Sequence, residues 1–111
     1  MVSQKNIVLV DFPFSDLVRS KVRPVIVISN DFYNTHFDDL IGVPVTSNLE
    51  ARDYCIELNN KDLVNGHLIT VSKIKVDRVF SFDKNLIRKV IGKVNDKIHQ
   101  QIIGILNNII M

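Results

Sequence analysis

Over the first two thirds of the chain, apolar residues gather in short runs separated by polar ones. Val, Ile and aromatic residues are dense at positions 7–12, 25–29, 40–46, 54–58 and 67–71, with a sixth such run at 74–79. Runs of this length and composition predict β-strands. The segments 15–21, 30–39, 47–53 and 59–66 carry Asn, Asp, Ser and Gly and predict turns or loops. Short strands at short intervals imply a mainly antiparallel sheet. Near the end the period changes: Ile98, Ile102, Ile105, Leu106 and Ile109 recur at three- and four-residue steps, and Ile103 and Ile110 widen the stripe. The pattern predicts a helix capped by Asn95, preceded by a shorter helix over 84–91 capped by Asp83. The expected fold is therefore mainly β with C-terminal helices. The apolar stripe must pack either on the chain's own sheet or, in part, on a second copy. The closing run Ile109-Ile110-Met111 is apolar enough to favour burial, as in a dimer.

Composition narrows this picture modestly. The 111 residues, 46% of them hydrophobic, suit one domain spanning 1–111 with one compact core. No Ser/Gly-rich or repetitive tract suggests a linker. A net charge of +2 places any affinity for nucleic acid in local clusters of Lys and Arg. The lone Cys55 has no intrachain disulfide partner, is expected as a small buried residue, and suits a reducing compartment. The N-terminus lacks signal-peptide design and no apolar run approaches a membrane span, so the expectation is a cytoplasmic protein with no membrane role. His36, His67 and His99 are too scattered for a zinc pair, and neither a metal nor another cofactor is expected.

Two positions could carry chemistry. Arg23 stands before Pro24 at the head of the apolar strand Val25-Ile26-Val27-Ile28, and the proline holds that junction extended. An arginine so placed can form a surface salt bridge, or present its planar donor fork to a phosphate. Thr46-Ser47-Asn48 follows the strand Ile41-Gly42-Val43-Pro44-Val45. Turn chemistry alone accounts for these three, yet hydroxyls at a strand end can also donate to a phosphoryl oxygen.

The order and spacing of Asp11-Phe12-Pro13-Phe14, the loop 15–22, Arg23-Pro24-Val25-Ile26-Val27-Ile28-Ser29-Asn30 and Pro44-Val45-Thr46-Ser47 resemble the MazF/PemK toxin family. The run from His67 to Ile74 resembles that family's late strand, and residues 79–86 with Ile91-Gly92-Lys93-Val94 its first terminal helix and following turn. This resemblance implies an SH3-like β-barrel, a homodimer with RNA-binding grooves, and cleavage of single-stranded RNA to 2′,3′-cyclic phosphate and 5′-hydroxyl ends. It also implies inhibition by a cognate antitoxin protein. By motif match Arg23 and Thr46 take the family's catalytic positions, with Ser47 as a helper. Phe14, Arg19 and Lys21 in the loop, together with Asn48, become the candidate RNA-binding residues. One departure stands out: many relatives carry an arginine in a late Ile-Arg-Thr-(Ile or Leu)-Asp motif, where this chain reads Val79-Phe80-Ser81-Phe82-Asp83. Lys75 and Arg78 are the nearby cations that could take its place.

Metal-free cleavage of RNA uses the substrate's own 2′-hydroxyl to attack the adjacent phosphorus, which DNA lacks. It asks for a proton acceptor, a proton donor and stabilisation of charge on the phosphoryl oxygens. Arg23 suits the last task, because a guanidinium is a poor proton acceptor. His36 has the chemistry of a general base, but no sequence feature brings it to Arg23. Two rivals belong to other classes: a non-catalytic SH3-like module binding an antitoxin-like peptide or nucleic acid, and a DNA nuclease, for which the chain lacks an evident acidic cluster.

Overall fold

The computed structural model describes residues 2–13, 20–50 and 53–111. The strands are β1 (Asn6–Pro13), β2 (Ser20–Val27), β3 (Asp39–Thr46), β4 (Cys55–Leu58), β5 (Leu63–Gly66), β6 (Ser72–Lys75), β7 (Phe80–Asp83) and β8 (Ile87–Val94). Helix α1 (Asp31–His36) links β2 to β3, and α2 (Asp96–Ile110) follows β8. The strands pair antiparallel in the order β4-β6-β3-β2-β1-β8-β5, and β7 also pairs with β3. The two ends of this order, β4 and β5, are joined by the 3-10 turn Asn60–Asp62, so the sheet curls round into an open barrel.

Side chains alternate along the strands and build an apolar layer on each face. Ile7, Ile26, Val43, Val45, Ile74 and Val94 face Ile98 and Ile102 of α2. Val8, Val10, Val25, Val27, Leu40 and Phe82 form the second layer, on the other face. Because both faces are covered, the run Val25-Ile26-Val27 is apolar throughout instead of alternating with polar residues. The stripe on α2 therefore packs on the chain's own sheet as far as Ile105 and Leu106. Ile109, Ile110 and Met111 are exposed in the single chain.

The mainly β architecture agrees with the sequence reading, but several elements differ. Residues 84–91 do not form a helix: a 3-10 turn over Lys84–Leu86 leads into β8, and only one long helix closes the chain. Against β1, strand β8 has two irregularities: Val10 faces Ile87 while Leu9 faces Lys89, and Val8 faces Val90 while Ile7 faces Gly92. Each adds a residue to β8, as a β-bulge does. This stretches the strand's two-residue period, so that Ile87, Val90, Ile91 and Val94 mimic helical spacing.

The stretch 67–71 is not a strand. Leu68 is buried, but its backbone N–H donates to Asn60 Oδ1 at 2.6 Å and its carbonyl accepts from Asn60 Nδ2 at 3.2 Å. A side chain thus satisfies groups that a ladder would otherwise use. The run 74–79 divides into the end of β6, a 3-10 turn over Val76–Arg78 and the approach to β7. Within 30–39 lies α1, its first turn capped by Asn30 Oδ1, which accepts from Tyr33 N at 2.9 Å. Within 59–66 lies β5. Strand β2 begins at Ser20, so Arg23 lies inside a strand and not at its head. Cys55 is half-buried, not enclosed.

Candidate functional site

Strand β3 is where the site originates. Its ladder with β2 runs from Val27 opposite Gly42 to Val25 opposite Pro44 and then stops, while β2 continues towards Ser20 paired with β1 alone. Pro24, which has no N–H to give, stands where the ladder ends, as proline at a sheet edge can. Beyond that last pair, Arg23 lies two residues along β2 and Thr46 two residues along β3. The parting of β2 from β3 opens a cleft of about 650 Å³ lined by Arg23, Pro44, Val45, Thr46 and Asn48, with Phe12 of β1 and Lys75, Arg78 and Phe80 from the β6–β7 segment. Two residues distant from each other in sequence, Arg23 and Thr46, therefore line one cleft.

Each is held by its local chemistry. Arg23 is half-buried, and its β1 partner is Val10. Thr46 Oγ1 accepts the backbone N–H of Asn48 at 3.1 Å, and Asn48 Oδ1 accepts that of Glu50 at 3.0 Å. The turn role and a donor role coexist at Thr46, since a hydroxyl that accepts a bond keeps its own proton to donate. Among the described residues lining the cleft there is no Asp, Glu or His. The ion pairs Lys5–Asp96 and Arg88–Asp11 do not involve Arg23, Lys75 or Arg78. Three cations and two aromatic rings around one opening suit a polyanion carrying flat bases.

Other candidates fall elsewhere. Ser47 is exposed beyond the strand end and does not line the cleft. Lys21 is exposed, paired across the ladder with Phe12, and lies two residues before Arg23 on the same face, at the outer rim. Phe14 and Arg19 lie outside the described residues. His36 stands on α1, which adjoins the start of β3; Thr46 is at the far end, seven residues on at about 3.3 Å each, or roughly 23 Å. Its Nδ1 lies 2.8 Å from the Phe32 carbonyl oxygen and its ring stacks on Phe32. His67 is exposed and away from the cleft lining. Among the described residues no three His, Cys, Asp or Glu side chains gather as a metal-binding group, and no helix is long and apolar enough to cross a membrane.

Residues 3–110 match the family described as the PemK-like, MazF-like toxin of type II toxin–antitoxin systems. This chain belongs to that toxin family. No curated protein sequence matches the toxin, whereas solved structures do. A MazE–MazF complex from Deinococcus radiodurans superposes with a TM-score of 0.81 at 19% identity, covering 97% of this chain and 94% of that one. An endoribonuclease from a mycobacterial species, solved in complex with its cognate antitoxin, gives 0.78 at 15% identity, covering 97% and 93%. The Mycobacterium tuberculosis toxin MazF-mt6 gives 0.73 at 18%, covering 93% of each chain. At such identities the likeness establishes the fold.

The departure noted in the toxin's late motif falls inside the cleft. Phe80 lines it, and Lys75 and Arg78 line it as well. Sequence reasoning named the two cations only as neighbours of the missing arginine and did not select Phe12 or Phe80 at all. The three-residue spacing of Lys75 and Arg78 was the available signal, but its meaning depends on the 3-10 turn.

Proposed function

We propose that this toxin is an endoribonuclease that cleaves single-stranded RNA in the β2–β3 cleft without a metal ion. The observation that carries this reading is the convergence of Arg23 and Thr46 in one cationic cleft. The substrate's 2′-hydroxyl gives its proton to solvent as its oxygen attacks the adjacent phosphorus, the bond to the 5′-oxygen breaks and that oxygen takes a proton from solvent, and the products are a 2′,3′-cyclic phosphate and a 5′-hydroxyl. Arg23 neutralises charge on the phosphoryl oxygens, and Thr46 donates a hydrogen bond to one of them. Ser47 assists from the strand end, while Asn48, Lys21, Arg19 and Phe14 bind flanking RNA. The working form is a cytoplasmic homodimer, held inactive by a cognate antitoxin protein.

The test incubates wild type, Arg23→Ala and Thr46→Ala with a long single-stranded RNA in EDTA, beside single-stranded DNA of the same sequence, and maps product ends. The expected result is discrete RNA cuts ending in cyclic phosphate, intact DNA, and rates lowered about 100- to 1000-fold in each variant. Uncut RNA with a folded wild-type protein would overturn the reading in favour of a non-catalytic binding module.

A further inference from the structure

The presence of Arg23 and Thr46 in the cleft leaves the rest of its lining unexplained. Between the pairs Val45–Ile74 and Gly42–Phe80, β3 advances three residues while the facing chain advances six. The 3-10 turn Val76–Arg78 takes up the surplus and sends Val76 into the core. Lys75, the residue that precedes this turn, and Arg78, the residue that ends it, both line the cleft. Two like charges held at one opening draw an anion between them, and none of the described residues lining it is acidic. Beside them Phe12 and Phe80 pack with ring centroids 5.3 Å apart, and Phe80 is backed by Phe82 at 5.2 Å. Phe82 is buried in the second apolar layer, so the aromatic floor is anchored.

We propose that the β6–β7 turn and the Phe12–Phe80 pair form a nucleotide subsite beside Arg23 and Thr46. Lys75 and Arg78 hold a phosphate neighbouring the scissile one, and its base stacks on the aromatic pair. This rests on the cleft being the RNA-cleavage site. The volume falls in the range that takes a ligand of nucleotide size. A ring surface accepts any base by its face, so this subsite grips without reading sequence. Phe80, standing where many relatives have an arginine, provides stacking, and the charge comes from the turn.

The probe is a single-stranded RNA oligonucleotide 2′-O-methylated at every position, which cannot undergo 2′-oxygen attack. Its affinity is followed by fluorescence anisotropy across a salt series, with thermal melting to confirm folding. Lys75→Ala/Arg78→Ala should bind more weakly, with a log–log salt slope shallower by about 0.7, the loss of one single-strand phosphate contact. Arg78→Lys should keep the slope. Phe12→Leu should bind about 5- to 100-fold more weakly at unchanged slope. Lys89→Ala, exposed on β8 and outside the cleft lining, should match wild type. A folded double variant with wild-type affinity and slope overturns the subsite, even if the wild type cleaves unmodified RNA. A wild type that binds through Lys75 and Arg78 but never cleaves upholds the subsite and sinks the ribonuclease reading instead.

Discussion

Gly42 shows how little room a single position leaves on the site-bearing strand. A Cβ added there would meet Val25 Cγ1 at 2.5 Å and the Ile26 carbonyl oxygen at 2.8 Å, with Phe82 Cε1 at 3.2 Å. The oxygen belongs to the ladder and cannot swing aside. Gly42→Ala should therefore cost about 1–3 kcal/mol, visible as a fall of several degrees in the thermal midpoint. Chemistry at the residue scale yields a second expectation. A bell-shaped pH–rate profile needs an acid and a base that titrate near neutrality, and the described residues lining the cleft include no His, Asp or Glu. Proton removal from the 2′-hydroxyl then falls to solvent, and kcat should climb steadily from about pH 6 to pH 9. An acidic limb that levels off near neutral pH would reveal a titrating side chain. Arg23 and Thr46 were singled out at this scale because each sits in a short motif beside a proline or a strand end, and both line the cleft.

At the scale of elements, α2 carries a polar residue at its inner margin. His99 is partly buried, and its Nδ1 has no hydrogen-bond partner among the described residues. Burial lowers its pKa below the ordinary 6.5, the Lys5 ammonium lowers it further, and Asp96 acts the other way. Below about pH 6.5 the folded chain then binds fewer protons at this site than the unfolded chain, so stability declines as pH falls through that value. His99→Gln should flatten the dependence of the melting temperature on pH between about 7 and 5; an unchanged slope would place the acid sensitivity elsewhere. Element identity was legible for β1 and β3, where β-branched residues run together, and for α2, where apolar residues recur at three- and four-residue steps. It failed at β8, whose bulges distort the period, and at 67–71, where Asn60 replaces a strand partner.

For the whole molecule, the exposed end Ile109-Ile110-Met111 and the modest net charge of +2 bear on assembly. The proposed homodimer should appear in light scattering after gel filtration as twice the monomer mass, stable in high salt if apolar contacts hold it. A monomeric mass at micromolar concentration would count against that assembly. By itself the sequence determined the mainly β class and the long closing helix, because runs of β-branched and aromatic residues, helical stripes and turn residues act over a few neighbouring positions. Tertiary structure decided that Arg23 and Thr46 line one cleft, and that Phe12, Phe80, Lys75 and Arg78 line it with them. These relations depend on the register between strands far apart in sequence, and on a turn whose surplus residues exist only relative to the strand they face.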